Sequence, residues 1–284
     1  MRVFNGMSSV EQEDGREAGI ASLKRWSIAA YRRACQEKRV EDFCIELAEV
    51  PARIRCRFAD SKRFLRQYIS EREPLFTVEP TAEDLQRTQA GFDRMDEAEG
   101  IPPRQRTEEY LEKNALHSLL AEKLTAYKVL LMHGSALCMD GQAYIFTAPS
   151  GTGKSTHARL WREAFGDRVW MINDDKPLLR IENEGVRVYG SPWDGKHHLS
   201  RNDSAPLKAI VSLHRGKTNH IEPMSQADAF MALLPQKYRS KDQDVARRVI
   251  ALQTALLDKA AFYRIYCNME PEAAQVAWKG MNSP

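Results

Sequence analysis

The chain has 284 residues, a length typical of one large domain or two small ones. Hydrophobic residues make up 43% and charged residues 29%, which is typical of a globular protein with a sizeable core that needs no metals or disulfides. The formal net charge of +3 argues against a dedicated nucleic-acid binder, and no stretch approaches the roughly 20 apolar residues that span a bilayer.

The five cysteines are widely spaced, and none forms a C-x-x-C pair. This pattern indicates neither a zinc site nor a disulfide framework, and it favours a reducing compartment. The N-terminus has no apolar run of the kind that a signal peptide carries. We therefore expect a cytoplasmic protein without nucleic-acid or membrane partners.

The N-terminal part of the chain predicts a helix and then a strand. Apolar residues at helical spacing predict a helix over residues 16–38. Residues 43–58 alternate between arginines and apolar side chains, which predicts one half-buried strand with an arginine face. The members of this face are Arg53, Arg55 and Arg57. Asp60 is expected to cap a helix that ends near residue 70.

Lys62, Arg63 and Arg66 on that helix extend the arginine face into a local basic patch. Such a patch can dock an acidic peptide or protein. An ordinary solvated face is the more common origin of clustered surface charge. Both interpretations stay open.

A domain boundary is expected within the charged stretch over 81–106, where a glycine and a Pro-Pro pair mark a break. A short strand over 74–78 precedes this stretch. Residues 1–106 are then a small α+β region with an expected role in substrate or partner recognition, and residues 107–284 form the larger domain.

The larger domain combines helices with short apolar strands. It opens with a helix over 107–128, followed by strands over 129–138 and 142–147 that a turn at Asp140-Gly141 connects. Further strands are expected near 168–173, 178–182, 186–190, 207–213, 220–223 and 261–267, and further helices near 154–165, 225–234, 242–257 and 270–280. This succession predicts an α/β fold, a mixed sheet with flanking helices.

The stretch T-A-P-S-G-T-G-K-S-T matches a phosphate-binding loop (P-loop), except that Ala148 stands where the usual pattern has its first glycine. Gly151 and Gly153 let backbone N–H groups turn toward phosphate oxygens, and the helix that follows adds its positive end. Lys154 is expected to reach the β- and γ-phosphates of ATP, and the Ser155 hydroxyl to bind Mg²⁺. The expected nucleotide-binding residues of the loop are Ser150, Gly151, Thr152, Gly153, Lys154, Ser155 and Thr156. A Gly/Ser-rich turn with an incidental lysine is the alternative.

Asp174 and Asp175 end the next predicted strand. In P-loop enzymes an acidic residue at this position helps to hold Mg²⁺. Two adjacent acids at a strand end point to different sides, so Asp174 can face the metal while Asp175 accepts the proton of an attacking hydroxyl. A turn with two exposed acids is the alternative, because aspartate is common in turns.

These segments together resemble the catalytic domain of HPr kinase/phosphorylase, whose fold is shared with phosphoenolpyruvate carboxykinase. The resemblance rests on His133-Gly134, the loop over 148–155 and the run Asn173-Asp174-Asp175, which occur in the family's order and approximate spacing. Residues 190–196 and 206–216 are also similar to bacterial HPr-kinase-like proteins, whose relatives include kinases of free serine and of ribosomally made peptides. The likeness covers roughly half of the chain and excludes the N-terminal region.

The resemblance implies an ATP- and Mg²⁺-dependent kinase that moves the γ-phosphoryl group to a hydroxyl. Its acceptor would be serine in a peptide, in a protein or as the free amino acid. The resemblance implies that Lys154 binds phosphates, that Ser155 and Asp174 hold Mg²⁺, that Asp175 is the general base, and that His133 lies beside it. It also leaves a homo-oligomer open.

Two cations outside the loop are further candidates for binding phosphate. Lys196, in the loop over 191–198, is expected to neutralise the transferring phosphoryl group, and Arg215 to contact phosphate after the strand over 207–213. Each can also be an ordinary loop residue. The adjacent His197 and His198 are expected to diverge, so they do not predict a metal site without a third ligand.

Two other functions remain open alongside the kinase. One is a nucleotide-binding regulatory module without phosphoryl transfer, and the other is carboxykinase-type chemistry on the same fold. ADP, GTP and pyrophosphate remain open as donors beside ATP.

Overall fold

The computed structural model describes residues 41–236, 240 and 242–282, and the predicted helix over 16–38 lies outside them. Within the described residues the chain forms twelve strands and seven α-helices. None of these helices is long and apolar enough to cross a membrane.

The N-terminal region is a small three-stranded sheet with a helix. Its elements are β1 (Glu41–Leu47), β2 (Val50–Cys56), α1 (Ala59–Leu65) and β3 (Phe76–Val78). β1 and β2 pair antiparallel, and β3 lies parallel to β2. The prediction of one strand over 43–58 is therefore wrong, because the chain reverses at Ala48 and Glu49. Both residues have positive φ, 50° and 62°, in a turn that glycine or asparagine would usually mark.

Two long helices connect this sheet to the rest of the chain, α2 (Ala82–Ala98) and α3 (Glu108–Leu124). α2 begins with a capping box, in which the Thr81 hydroxyl accepts from the Asp84 N–H and the Asp84 carboxylate accepts from the Thr81 N–H. Most of the charged stretch over 81–106 is thus helical, which its composition did not predict.

The chain entering α1 is held by a carboxylate from another helix. Asp60 does not cap α1, since the N-cap residue is Phe58 and no side chain of the segment caps it. The buried Glu112 carboxylate of α3 instead accepts from the N–H groups of Arg57 (2.8 Å) and Phe58 (3.1 Å) and from the Ser61 hydroxyl (2.7 Å). Asp60 is left free to pair with other side chains.

The predicted basic patch is largely neutralised by neighbouring acids. Arg53 and Arg55 pair with Asp42, Arg57 with Glu108, Lys62 with Glu41, and Arg63 with Asp60. This pairing favours the solvated-face interpretation for the arginines of β2.

A nine-stranded mixed sheet forms the centre of the molecule. Its strands are β4 (Val129–Leu131), β5 (Ser135–Met139), β6 (Gln142–Thr147), β7 (Val169–Asn173), β8 (Leu178–Ile181), β9 (Val186–Tyr189), β10 (Ser204–Arg215), β11 (His220–Pro223) and β12 (Ala261–Cys267). The order is β4-β8-β9-β10-β6-β5-β7, with β12 beside β10 and β11 beside β12. The long β10 starts antiparallel to β9 and then runs parallel to both β6 and β12.

Helices cover both faces of the sheet around β6. They are α4 (Lys154–Phe165), α5 (Gln226–Leu233), α6 (Gln243–Lys259) and α7 (Glu272–Asn282). Tyr144 and Phe146 of β6 share a buried cluster with α4 and α7, while Ala143 and Ile145 share another with α5 and α6. This alternation follows from the two-residue period of a strand. The predicted fold class, an α/β fold with a mixed sheet, flanking helices and a small α+β region before it, is confirmed.

A third buried cluster joins the small sheet to the large one. It contains Ile45 and Ile54 of the small sheet, Leu116 and Leu120 of α3, and Leu178 of β8. The division into residues 1–106 and 107–284 stays a prediction, and the apolar core is continuous across it.

Candidate functional site

The loop between β6 and α4 has the geometry of a phosphate cradle. Gly151 and Gly153 have φ of 76° and 121°, a region that side chains disfavour. Gly153 is also the N-cap of α4, so the free N–H groups of the first turn lie at the end of the loop. Positive φ within the loop is confined to these two glycines, and Ala148 packs its methyl group into the core. The missing first glycine is therefore not needed here.

Lys154 begins α4 and folds back over the loop. Its Nζ donates to the carbonyl oxygen of Ala148 at 3.0 Å. Burial lowers the pKa of Lys154, while the nearby charges of Asp175 and Asp174 oppose that shift. Lys154 and both acids thus belong to one electrostatic site.

A break between β4 and β5 brings His133 to the acids. The prediction of one strand over 129–138 is wrong, because β4 and β5 have different partners and are interrupted by residues 132–134. At the break the Gly134 N–H donates to the Asp175 carbonyl at 3.0 Å, and His133 Nε2 lies 3.3 Å from Asp175 Oδ1. A Cβ atom on Gly134 would lie 3.0 Å from the Phe146 carbonyl oxygen, a tight contact, so the close approach to β6 favours glycine.

Asp175 is a partly exposed carboxylate held between two partners. Its side chain is 34% exposed, and Lys176 Nζ lies 3.2 Å from Oδ1 on the same carboxylate that contacts His133. Burial acts to raise the pKa of Asp175, but the hydrogen bond from His133 and the charge of Lys176 outweigh it and hold the pKa below its usual range. The carboxylate is therefore ionised at neutral pH and can accept a proton from an incoming group.

Asp174 is buried at 5% exposure, unlike its neighbour. Its Oδ1 accepts from the Ser135 hydroxyl at 3.0 Å. A Cβ atom on Gly195 would lie 2.7 Å from Asp174 Oδ2, so glycine leaves room for this carboxylate. Ser155 lies exposed in the first turn of α4. Mg²⁺ prefers oxygen ligands and usually takes only a few from the protein when it is also bound to phosphates. The Asp174 carboxylate and the Ser155 hydroxyl are ligands of this kind.

Asn173 organises the turn that carries both acids, a role that was not predicted. Its side-chain carbonyl accepts from the N–H groups of Asp175 (2.8 Å) and Lys176 (2.6 Å). Its amide donates to the carbonyl oxygen (3.1 Å) and the hydroxyl (3.2 Å) of Ser191. A polar residue at the buried end of a strand, directly before two acids, was the only sequence signal of this role.

Of the two cations outside the loop, Arg215 contacts the loop backbone and Lys196 is exposed. The Arg215 guanidinium donates to the carbonyl oxygens of Gly151 (2.7 Å) and Thr152 (3.4 Å), so it braces the phosphate loop. Lys196 is exposed and makes no ion pair within the described residues. Its loop reaches the site through Gly195, and Lys196 as a phosphate ligand stays a prediction.

His198 pairs with an acid rather than with His197, since its Nδ1 lies 3.1 Å from Asp194 Oδ1. The described part of the chain contains no group of three or more His, Cys, Asp or Glu side chains that could hold a metal ion.

A cavity of about 480 Å³ adjoins the phosphate loop. One wall is the loop and the start of α4, including Thr156. The remaining lining includes the apolar side chains of Leu160, Leu213 and Met269, together with Asn268. Apolar walls with a few polar groups are typical of sites for small organic ligands and cofactors.

Comparisons with known proteins add a partial structural likeness. No family model and no curated protein matches the sequence. Among solved structures, the chain is similar to the HPr(Ser) kinase/phosphatase from Coxiella burnetii, at 12% sequence identity and a TM-score of 0.30. The match covers 53% of this chain and 95% of that chain. What the site can do therefore rests on its own residues.

Proposed function

We propose that the protein is an ATP- and Mg²⁺-dependent kinase that transfers the γ-phosphoryl group to a hydroxyl. The acceptor is serine, in a peptide, in a protein or as the free amino acid. The observation that carries this proposal is an ionised, partly exposed Asp175, paired with His133, in the same site as the P-loop lysine Lys154. A nucleotide-dependent switch needs the loop and metal ligands but does not need a paired carboxylate base.

The donor would occupy the loop and the cavity beside it. The N–H groups of the loop and the α4 terminus face phosphates in sites of this kind, and Lys154 adds a positive charge. The apolar wall with Leu160 and Leu213 suits a nucleoside base. We expect Asp174 and Ser155 to hold Mg²⁺, which supplies neutralisation of phosphate charge when bound.

The residues of this chain would then act in the transfer step. The acceptor oxygen forms a bond to the γ-phosphorus, and the bond from that phosphorus to the β–γ bridging oxygen breaks, which releases ADP. The hydroxyl proton passes to Asp175, whose carboxylate His133 and Lys176 hold in place. Lys154 stabilises negative charge that develops on the phosphoryl oxygens.

The Asp175→Asn variant tests the assignment of the base. We expect transfer from labelled ATP to serine acceptors, followed by mass spectrometry, to fall by about 100-fold or more, in the range for loss of a general base. Binding of Mg-ATP should stay close to that of the native protein, since an asparagine keeps the shape of the aspartate side chain. Asp167→Asn, at an exposed position after α4, is the matched control.

Three outcomes would contradict the proposal in different ways. Native transfer rates in Asp175→Asn would place the base elsewhere. Binding of Mg-ATP without transfer to any serine acceptor would favour a regulatory module. Release of CO₂ from oxaloacetate would favour a carboxykinase.

A further inference from the structure

Three stacked rings lie at the neighbouring ends of β10, β11 and β12, outside the residues assigned above. The centroids of the His214 and Tyr266 rings are 5.3 Å apart. The His220 ring stacks on the same tyrosine at 4.7 Å, with an angle of 15° between the ring planes. Both histidines are exposed, and Tyr266 is half-buried. We call these three side chains the ring stack.

The ring stack and the cavity beside the phosphate loop lie on opposite faces of the sheet. His214 comes four residues after Ile210 in β10, and Tyr266 four residues after Phe262 in β12. Ile210 and Phe262 pack in the buried cluster with α5 and α6. Because side chains alternate along a strand, the rings share the face of that cluster. Leu213, which lines the cavity, points to the other face.

A series of contacts connects the ring stack with the proposed base. The Thr147 hydroxyl, at the end of β6, donates to the His133 carbonyl at 3.1 Å, and His133 pairs with Asp175. Ser212 of β10 is the register partner of Thr147, and its hydroxyl lies 3.0 Å from His214 Nε2. Register partners on adjacent strands point to the same face. The proposed base and the ring stack therefore lie along one edge of the sheet, on one face.

The charges next to the ring stack are largely compensated. Arg264 Nη1 lies 3.3 Å from Glu222, and its Nη2 lies 4.0 Å from Asp228. Burial and the charge of Arg264 lower the pKa of His214, so this ring is uncharged at neutral pH. Uncharged rings bind other aromatic side chains by stacking and by burial of apolar surface. An aromatic group thus suits this surface better than an acidic one.

The distance between the base and the ring stack determines which acceptors can reach both. β10 is the third strand from β7, which precedes Asp175, and β12 is the fourth. At about 4.8 Å per strand, the ring stack lies roughly 14–19 Å from β7. An extended peptide covers about 3.3 Å per residue, so about four to six residues span this distance. Free serine is too small to reach both places.

We propose that the acceptor is a linear peptide segment that lies along this edge of the sheet. Its serine hydroxyl reaches Asp175, and an aromatic side chain about four to six residues away packs on the ring stack. The proposal rests on the kinase function proposed above. It narrows the acceptor from serine in general to a peptide with an aromatic anchor.

Two pairs of acetylated peptides, each with a single serine, test the proposal on the full chain. One pair carries phenylalanine or alanine five positions after the serine, and the other carries it five positions before, so both chain directions are covered. Binding is measured by fluorescence anisotropy with Mg²⁺ and a non-hydrolysable ATP analogue, and transfer by mass spectrometry with Mg-ATP. We expect the phenylalanine member of one pair to bind about tenfold more tightly, with a similar gain in kcat/KM.

Variants of the ring stack connect that preference to its rings. Tyr266→Ala and His220→Ala should each remove most of it, while Tyr266→Phe keeps the ring and should keep the preference. His220→Ala changes an exposed side chain, so it tests the surface even if Tyr266→Ala does not fold. Tyr110→Ala is the matched control, since this exposed tyrosine of α3 packs against one ring, Phe92, at 5.4 Å. Thermal unfolding shows which variants are folded.

Equal binding of the phenylalanine and alanine members in both pairs would overturn the proposal, as would absence of binding by every peptide. The same tenfold gain from phenylalanine directly beside the serine would also overturn it, and so would a preference that survives in His220→Ala. Transfer to free serine with the kcat/KM of the preferred peptide would overturn the acceptor class and leave the kinase standing. Binding that depends on phenylalanine and on the ring stack, without transfer to any peptide, would uphold the peptide surface and refute the kinase.

Discussion

Arg215 lies outside the phosphate loop, yet its guanidinium holds the carbonyl groups of Gly151 and Thr152. We expect Arg215→Ala to raise the dissociation constant for Mg-ATP about fivefold to tenfold, since the loop loses a hydrogen bond of 2.7 Å and a weaker one of 3.4 Å, whose combined net strength is modest. Calorimetric titration measures this change. Arg215→Lys can restore one of the two contacts and should give an intermediate value. Native affinity in Arg215→Ala would mean that the loop keeps its shape without this brace.

His157 predicts a dependence of stability on pH. It is 2% exposed, its Nε2 accepts from Trp161 Nε1 at 3.1 Å, and burial lowers its pKa from 6.5 to about 4. Between these values the unfolded chain binds a proton that the folded protein does not, so the free energy of unfolding falls as pH drops below 6.5. For one such histidine, the free energy of unfolding falls by about 2 kcal/mol between pH 7 and pH 5.

His157→Gln keeps a hydrogen-bond acceptor for Trp161 and removes the titration. The loss of stability from pH 7 to pH 5, measured by denaturant unfolding, should be about 2 kcal/mol smaller in this variant. His197→Gln, at an exposed position, is the control and should follow the native protein. Identical pH profiles for all three proteins would show that the pKa of His157 is not lowered in the folded state.

The local structure around the candidate site could be predicted from the sequence where it depends on neighbours along the chain, while the roles of its residues stay predictions. The glycines and Lys154 belong to a continuous strand–loop–helix, and Asp175 follows directly on a strand. The contact of Asn173 with Ser191 could not be predicted, because Ser191 comes from a distant loop and no local pattern indicates that contact. Gly195 is a similar case, since only the folded chain shows that it packs against a carboxylate.

At the scale of elements, α1 depends on a carboxylate that α3 supplies. Glu112→Ala would leave two backbone N–H groups and the Ser61 hydroxyl without an acceptor. We expect the free energy of unfolding to fall by about 3 kcal/mol, because three hydrogen bonds to one charged group are lost. Urea unfolding measures this loss. Glu109→Ala, exposed on the same helix, should change stability by less than about 0.5 kcal/mol. A similar small effect in Glu112→Ala would mean that water replaces the carboxylate.

Elements with a clear period were predicted well, and those that depend on tertiary contacts were not. The strand over 261–267 and the helix over 154–165 have the predicted bounds. The turn at Ala48 lacks the residues that usually mark a reversal, so two strands looked like one. α2 was not predicted because few of its side chains are apolar and buried. The capping box at Thr81 was the clearest sequence signal of this helix.

At the scale of the whole molecule, the shared core predicts that the two regions do not fold separately. The leucines of α3 pack against both sheets, so a fragment of residues 107–284 would expose the side that normally contacts Ile45 and Ile54. We expect this fragment to bind a dye for exposed apolar surface and to lose cooperative thermal unfolding. A fragment of residues 41–284, which keeps the whole cluster, is the control. Cooperative unfolding of the 107–284 fragment would instead establish two independent domains.

During synthesis, β6 is made well before β10, its second neighbour in the sheet. Until β10 has been made, the strand that carries the loop at 148–153 is paired on one side only. β6 carries the loop and receives one neighbour at once, since β5 precedes it in the same hairpin. Its other neighbour is β10, in which Leu207 pairs with Ala143 of β6. Leu207 lies 64 residues after Ala143 in the chain (207 − 143). At about 5–20 residues per second, a ribosome needs roughly 3–13 s to make that segment. Through this interval one edge of β6 stays open to strands of other chains, so the nascent protein should depend on chaperones until β10 has paired with β6.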